Sequence, residues 1–138
     1  MKFYRFLSVI LAFGLSVFAL RAQNQAPQTP EQREKQLLEF VDKEVTRLSD
    51  LLKLEYWQEF YVDSTLTHDY KAMTEELSQL QKARVENTDL YQAVQDKWAQ
   101  QIDDTYKKYF TEEQWAKYWK LSGKKAQAAR DKRKNKKK

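Results

Sequence analysis

Apolar residues recur at three- and four-residue steps through most of this chain. Leu37, Leu38, Val41, Val45, Leu48 and Leu52 form one stripe, with charges on the other faces. That spacing predicts a helix over about 31–53. Thr29 followed by Pro30 reads as its cap and first helical position. Val62, Leu66, Tyr70, Met73, Leu77 and Leu80 form a second stripe, for a helix ending near 85. Asn87-Thr88-Asp89 reads as a turn that caps the next helix. Leu90, Tyr91, Val94, Trp98, Ile102, Tyr106 and Tyr109 continue it over about 89–109. A shorter fourth stripe holds Trp115, Tyr118, Trp119 and Leu121, and Ser122-Gly123 weakens the helix there.

The best-marked boundary is Phe110-Thr111-Glu112-Glu113-Gln114-Trp115. Thr111 and Gln114 have capping-box spacing, in which each side chain satisfies the other residue's backbone N–H. Phe110 and Trp115 stand where a hydrophobic staple would pack. Glu112 and Glu113 put negative charge at the positive end of the helix dipole. Leu54-Glu55-Tyr56-Trp57-Gln58 has the same outline, with Glu55 a poorer cap than Thr. A helix boundary or kink is therefore expected near residue 54.

Composition agrees with helices. The 138 residues contain two Gly and two Pro, too few for the frequent turns of a β-sandwich. The chain reads as all-α, an elongated hairpin of about four helices. The aromatic stripes suit an open hairpin or a dimer, or else they are ordinary core. There is no Cys, so disulfides, thiolate catalysis and Cys metal sites are excluded.

The net charge of +5 sums unlike segments. Residues 1–22 carry three bases and no acid, and an apolar run from Phe6 to Leu20. They read as a secretory signal peptide, the run being short of the ~20 residues that span a bilayer. Residues 23–30 read as a polar linker and 31–122 as the helical domain. That body is acidic: residues 23–119 hold 19 acids against 12 bases. Residues 123–138 read as a basic tail, disordered or loosely helical. The tail has several readings: nucleic acid, an anionic envelope surface, the protein's own acidic body, or a solvated extension. It lacks the interleaved aromatics that stack on bases.

No catalytic constellation is visible. His68 is the only histidine, and Asp63 and Asp69 do not share a helix face with it. Strong metal sites gather three or four ligands, so no metal and no cofactor is expected. The carboxylate pairs Glu75-Glu76, Asp103-Asp104 and Glu112-Glu113 are sequence neighbours that diverge on a helix. The glycines, at 14 and 123, form no phosphate loop. An enzyme is not expected.

Two L-T-x-x-Q-like motifs in a small, exported, helical, charge-rich chain resemble the Spy/CpxP family of periplasmic proteins. The motif residues here are Leu54 and Gln58 in one copy, and Phe110, Thr111 and Gln114 in the other. The resemblance covers about residues 31–122. It implies a curved hairpin, an antiparallel cradle-like dimer and ATP-independent, stress-associated binding of partly unfolded proteins. It gives the motif residues a structural role at helix starts. Tyr56 and Trp57, within the first motif, and Trp115, Tyr118 and Trp119, after the second, are then the expected client contacts. The alternative is a non-enzymatic adaptor tethered to the envelope by its basic tail. A nucleic-acid binder is opposed by the export signal.

Overall fold

The computed structural model describes residues 28–136. The signal peptide expected over 1–22, and residues 23–27 of the linker, lie outside the described residues. The chain divides into two units between residues 34 and 35.

The described part of the first unit is the start of helix α1, Pro30–Leu52. Thr29 and Gln32 form a capping box there. The Thr29 hydroxyl accepts from the Gln32 N–H at 3.2 Å, and Gln32 Oε1 accepts from the Thr29 N–H at 3.0 Å. Thr29-Pro30-Glu31-Gln32 is thus a further T-x-x-Q start, which the stripe pattern alone does not bring out.

The second unit continues α1 and adds α2 (Tyr56–Lys82), α3 (Thr88–Tyr109), α4 (Glu112–Tyr118), a π-helical turn (Trp119–Gly123) and α5 (Lys124–Asn135). The described residues contain no strand. The fold is an all-α helical hairpin bundle, with α2 and α3 packed along each other.

Each boundary has a local cause. The helix ends after Leu52 and Lys82 each need a residue in the left-handed region, here Lys53 and Arg84, both at φ 53°. After α2 the Val85 N–H reaches the Leu80 carbonyl at 3.0 Å and the Arg84 N–H reaches Gln81 at 2.9 Å. This Schellman pair closes α2 at Lys82, before the expected end near 85. Asn87 caps α3 by accepting from the Asp89 N–H at 3.0 Å.

The core draws on four helices: Val41, Leu48 and Leu52 of α1, Val62 and Leu66 of α2, Ile102 and Tyr106 of α3, and Tyr118 of α4, with Phe110 between α3 and α4. Burying each such aliphatic side chain contributes about 1.5–3 kcal/mol. Phe40 of α1 meets the edge of Tyr70 on α2, with centroids 5.1 Å apart.

The tail expected to be disordered or loosely helical forms a docked helix over Lys124–Asn135. Helicity does not stop at Ser122-Gly123 but widens into the π turn, and α5 follows. Gly123 is buried, and a Cβ there would come within 2.5 Å of the Trp119 ring. Leu121, expected on the inner stripe, is exposed. α5 has almost no apolar surface to bury, so charge holds it. Arg130 of α5 is buried and donates to buried Asp103 of α3 at 2.5 Å. Arg133 donates twice to Asp96, at 2.8 and 2.7 Å. Of the readings open for the tail, docking on the acidic body is the one realised by these two arginines.

Candidate functional site

The site begins at the two helix starts. At α4, the Thr111 hydroxyl accepts from the Gln114 N–H at 3.2 Å and Gln114 Oε1 accepts from the Thr111 N–H at 3.0 Å. At α2, Gln58 Oε1 accepts from the Glu55 N–H at 2.9 Å. The return arm from Glu55 completes a capping box, and its carboxylate also accepts from Trp57 Nε1 at 2.7 Å. The two glutamines then bond each other. Gln58 Nε2 donates to Gln114 Oε1 at 2.7 Å, and Gln114 Nε2 donates to Gln58 Oε1 at 3.1 Å.

The exchange goes further. Gln58 Nε2 also donates to the Tyr109 carbonyl at 2.9 Å, at the end of α3. Gln114 Nε2 also approaches the Leu52 and Lys53 carbonyls at 3.3 and 3.4 Å, at the end of α1. Each glutamine therefore caps its own helix and ties off the helix preceding the other motif. Both donors and the acceptor of each amide are occupied. Lys117 of α4 adds a bond to the Leu51 carbonyl at 2.6 Å, and Ser49 of α1 donates to Glu59 of α2. Four helix ends are thereby fastened at one junction.

The junction supports an aromatic surface. Gln58 and Val62 point inward and are buried, so Tyr56, Trp57, Phe60 and Tyr61 turn outward. They are 89%, 47%, 64% and 41% exposed. Tyr61 stacks on Tyr109 of α3, with centroids 4.5 Å apart and planes 9° apart. Trp57 and Phe60 each meet Tyr61 edge-on, at 6.2 and 5.7 Å. Four adjacent exposed aromatics form one patch on the first two turns of α2.

The expected client contacts divide. Tyr56 and Trp57 lie in the patch. Tyr118 does not: it is core, and its hydroxyl donates to Asp103 at 2.6 Å. Burial and the adjacent Asp103 push that phenol far above its ordinary pKa. Trp115 and Trp119 are half-buried, with centroids 5.4 Å apart, and Trp115 packs against the core. Of the motif residues, Gln58 and Phe110 are buried, Leu54 packs against the core, Gln114 is half-buried and Thr111 is exposed as a cap. The expected Phe110–Trp115 staple is closed through a third ring. Phe110 stacks on Tyr106 at 5.0 Å and meets Tyr118 at 6.0 Å, while Trp115 meets Tyr118 at 5.6 Å.

Phe60 and Tyr61 are site residues that the stripe reading passes over. Their signal was available: both are large, apolar and out of phase with Val62 and Leu66. An apolar residue off the stripe of an amphipathic helix is one that water sees.

His68 Nδ1 lies 2.8 Å from Asp69 Oδ1, and Gln101 Nε2 donates to the same oxygen at 3.1 Å. No group of three metal-ligating side chains occurs among the described residues. Between α2 and α3 an open cleft of about 230 Å³ is lined by Glu76, Leu80, Leu90, Ala93, Val94 and Lys97. Glu76 there is held below the usual carboxylate range by hydrogen bonds from Lys97 and then Trp98. Among the described residues no helix is long and apolar enough to cross a membrane. No protein-family model matches this chain, and neither does a curated protein or a solved structure.

Proposed function

We propose that this protein is a non-enzymatic, ATP-independent binding protein of chaperone type, which holds partly unfolded proteins on the aromatic face of α2. The observation that carries this reading is the exposed cluster Tyr56, Trp57, Phe60 and Tyr61. Aromatic side chains carry 150–250 Å² each, so these four, 41–89% exposed, present about several hundred Å² in one place, the size at which exposed apolar surface marks a binding site. The junction beneath makes the face rigid, which keeps the ordering cost of binding low. Shallow, ring-based contact suits many clients rather than one. The Spy/CpxP-like motifs and the signal-like residues 1–22 support the same role in the periplasm, with a homodimer as its working form.

The adaptor reading requires the basic tail to be available as a tether. Arg130 and Arg133 are engaged on α3, which favours the chaperone reading.

The test is suppression of aggregation without ATP. A chemically denatured protein is diluted into buffer containing the purified chain, and light scattering is followed. Near-stoichiometric suppression is expected, and it is lost in Trp57→Ser/Phe60→Ser with helical content intact. No suppression at several-fold excess by a folded, soluble chain refutes the reading and puts the adaptor in front.

A further inference from the structure

We infer that the aromatic face of α2 selects cationic segments, those bearing Arg and Lys, in the polypeptides it holds. The inference rests on the reading of that face as a polypeptide-binding surface.

The molecule contains a completed version of the required contact. At Trp98 the indole Nε1 donates to Glu76 Oε2 at 2.8 Å. Lys97 Nζ lies 2.5 Å from that same oxygen and 4.9 Å from the centre of the Trp98 ring. The cation is held by a carboxylate and a ring face, and the indole N–H holds the carboxylate in place. At Trp57 two of these three parts recur: the indole Nε1 donates to Glu55 Oε2 at 2.7 Å, and both residues are exposed. Glu55 has no Lys or Arg partner among the described residues. The place of the cation is open to a partner.

The surroundings have the same sign. From Leu54 to Tyr70 there is no Lys or Arg, while Glu59 falls within the patch and Glu55 and Asp63 flank it. Tyr56, Phe60 and Asp63 stand at i, i+4 and i+7, so one line along the helix runs ring, ring, carboxylate. Glu55 and Glu59, at i and i+4, run beside it. Bases come from neighbouring elements, Lys53 after α1, Lys107 and Lys108 near the end of α3, and Lys117 of α4, which is engaged by the Leu51 carbonyl. Ring faces are negative, and a guanidinium or ammonium over them is attracted further by flanking carboxylates. The fitting occupant is an extended segment with Arg or Lys spaced among small residues.

The experiment uses three fluorescently labelled Gly/Ser peptides bearing four Arg, four Glu or four Leu, titrated into the full chain at low salt and followed by anisotropy. The Arg peptide is expected to bind about tenfold more tightly than the Glu peptide, the sum of a cation–π contact and a few rim charges. The preference should shrink in Glu55→Gln/Asp63→Asn, and binding should disappear in Trp57→Ser/Phe60→Ser. Equal or tighter binding of the Glu peptide overturns the inference; if the Leu peptide binds, the face itself stands. Failure of all three with a folded chain overturns both. Self-association in sedimentation that Lys132→Gln/Lys134→Gln/Lys136→Gln abolishes overturns the client assignment and makes α5 of a second copy the occupant.

Discussion

At the scale of residues, the glutamines of two distant capping boxes do more than cap. Gln58 is buried, and its amide serves its own N-cap, its counterpart Gln114 and the end of α3. Capping-box spacing was legible in the sequence because it is local; the pairing of the two boxes was not, because it joins residues 56 apart. Glu55 shows the same limit. It reads as a poor cap, and its carboxylate accepts from Trp57, yet with Gln58 it closes a capping box and α2 starts there. Gln114→Ala should leave the Thr111 N–H, one Gln58 donor and the α1 carbonyls without their partner. A loss of about 2–3 kcal/mol is expected, from the usual cost of unsatisfied buried groups. It would be measured as a lower urea midpoint at unchanged slope. Gln58→Ala should cost a similar amount, and the double variant should cost less than the two added, because they share bonds.

At the scale of elements, the hairpin of α2 and α3 follows from apolar periodicity, and α5 does not. Nothing in a run of Lys, Arg and Ala shows that it has a partner; the information lies in Asp96 and Asp103, one face apart by seven residues on α3. The two pairs should differ greatly in weight. Arg130 and Asp103 are buried together, so Asp103→Asn leaves a guanidinium without its counter-charge in the interior. A loss of about 3–5 kcal/mol is expected. Arg133 is more exposed, and Asp96→Asn should cost at most about 1 kcal/mol. Urea denaturation of the two variants side by side gives the comparison. Burial alone would raise the carboxyl of Asp96, but Arg133 and Gln92 reverse this and hold it below its ordinary value.

At the scale of the whole molecule, buried Tyr106 and Tyr118 and half-buried Tyr70 link the helices. Tyr70 of α2 is pushed up to about 12 by burial, with Glu44 and Asp103 adding to it, and burial also raises Tyr106 of α3 and Tyr118 of α4 well above the ordinary value. The folded chain keeps these phenols protonated where the unfolded chain would ionise them near pH 10. Their contribution is therefore complete below about pH 10 and lost as pH rises toward the native values. Helical circular dichroism should fall in that alkaline range, and the phenolate absorbance of the three should rise with it in one late, cooperative step. Which aromatics are core and which face water was only half legible: Tyr106 lies on its stripe and is buried, whereas Tyr118 was misjudged because the rings that enclose it come from α3 and the α3–α4 link. The π turn has a last consequence, one of angular phase. Each residue of an α-helix advances the chain by about 100° around the axis, and a π turn takes in one residue more than an α turn. From Tyr118 the buried positions run on to Gly123 and then Arg130, a step of five before a step of seven. The extra residue rotates everything after it, so that Leu121 swings outward and Arg130 inward. A single backbone register offset between Trp119 and Gly123 thus decides whether the cationic helix addresses its own protein or the solvent.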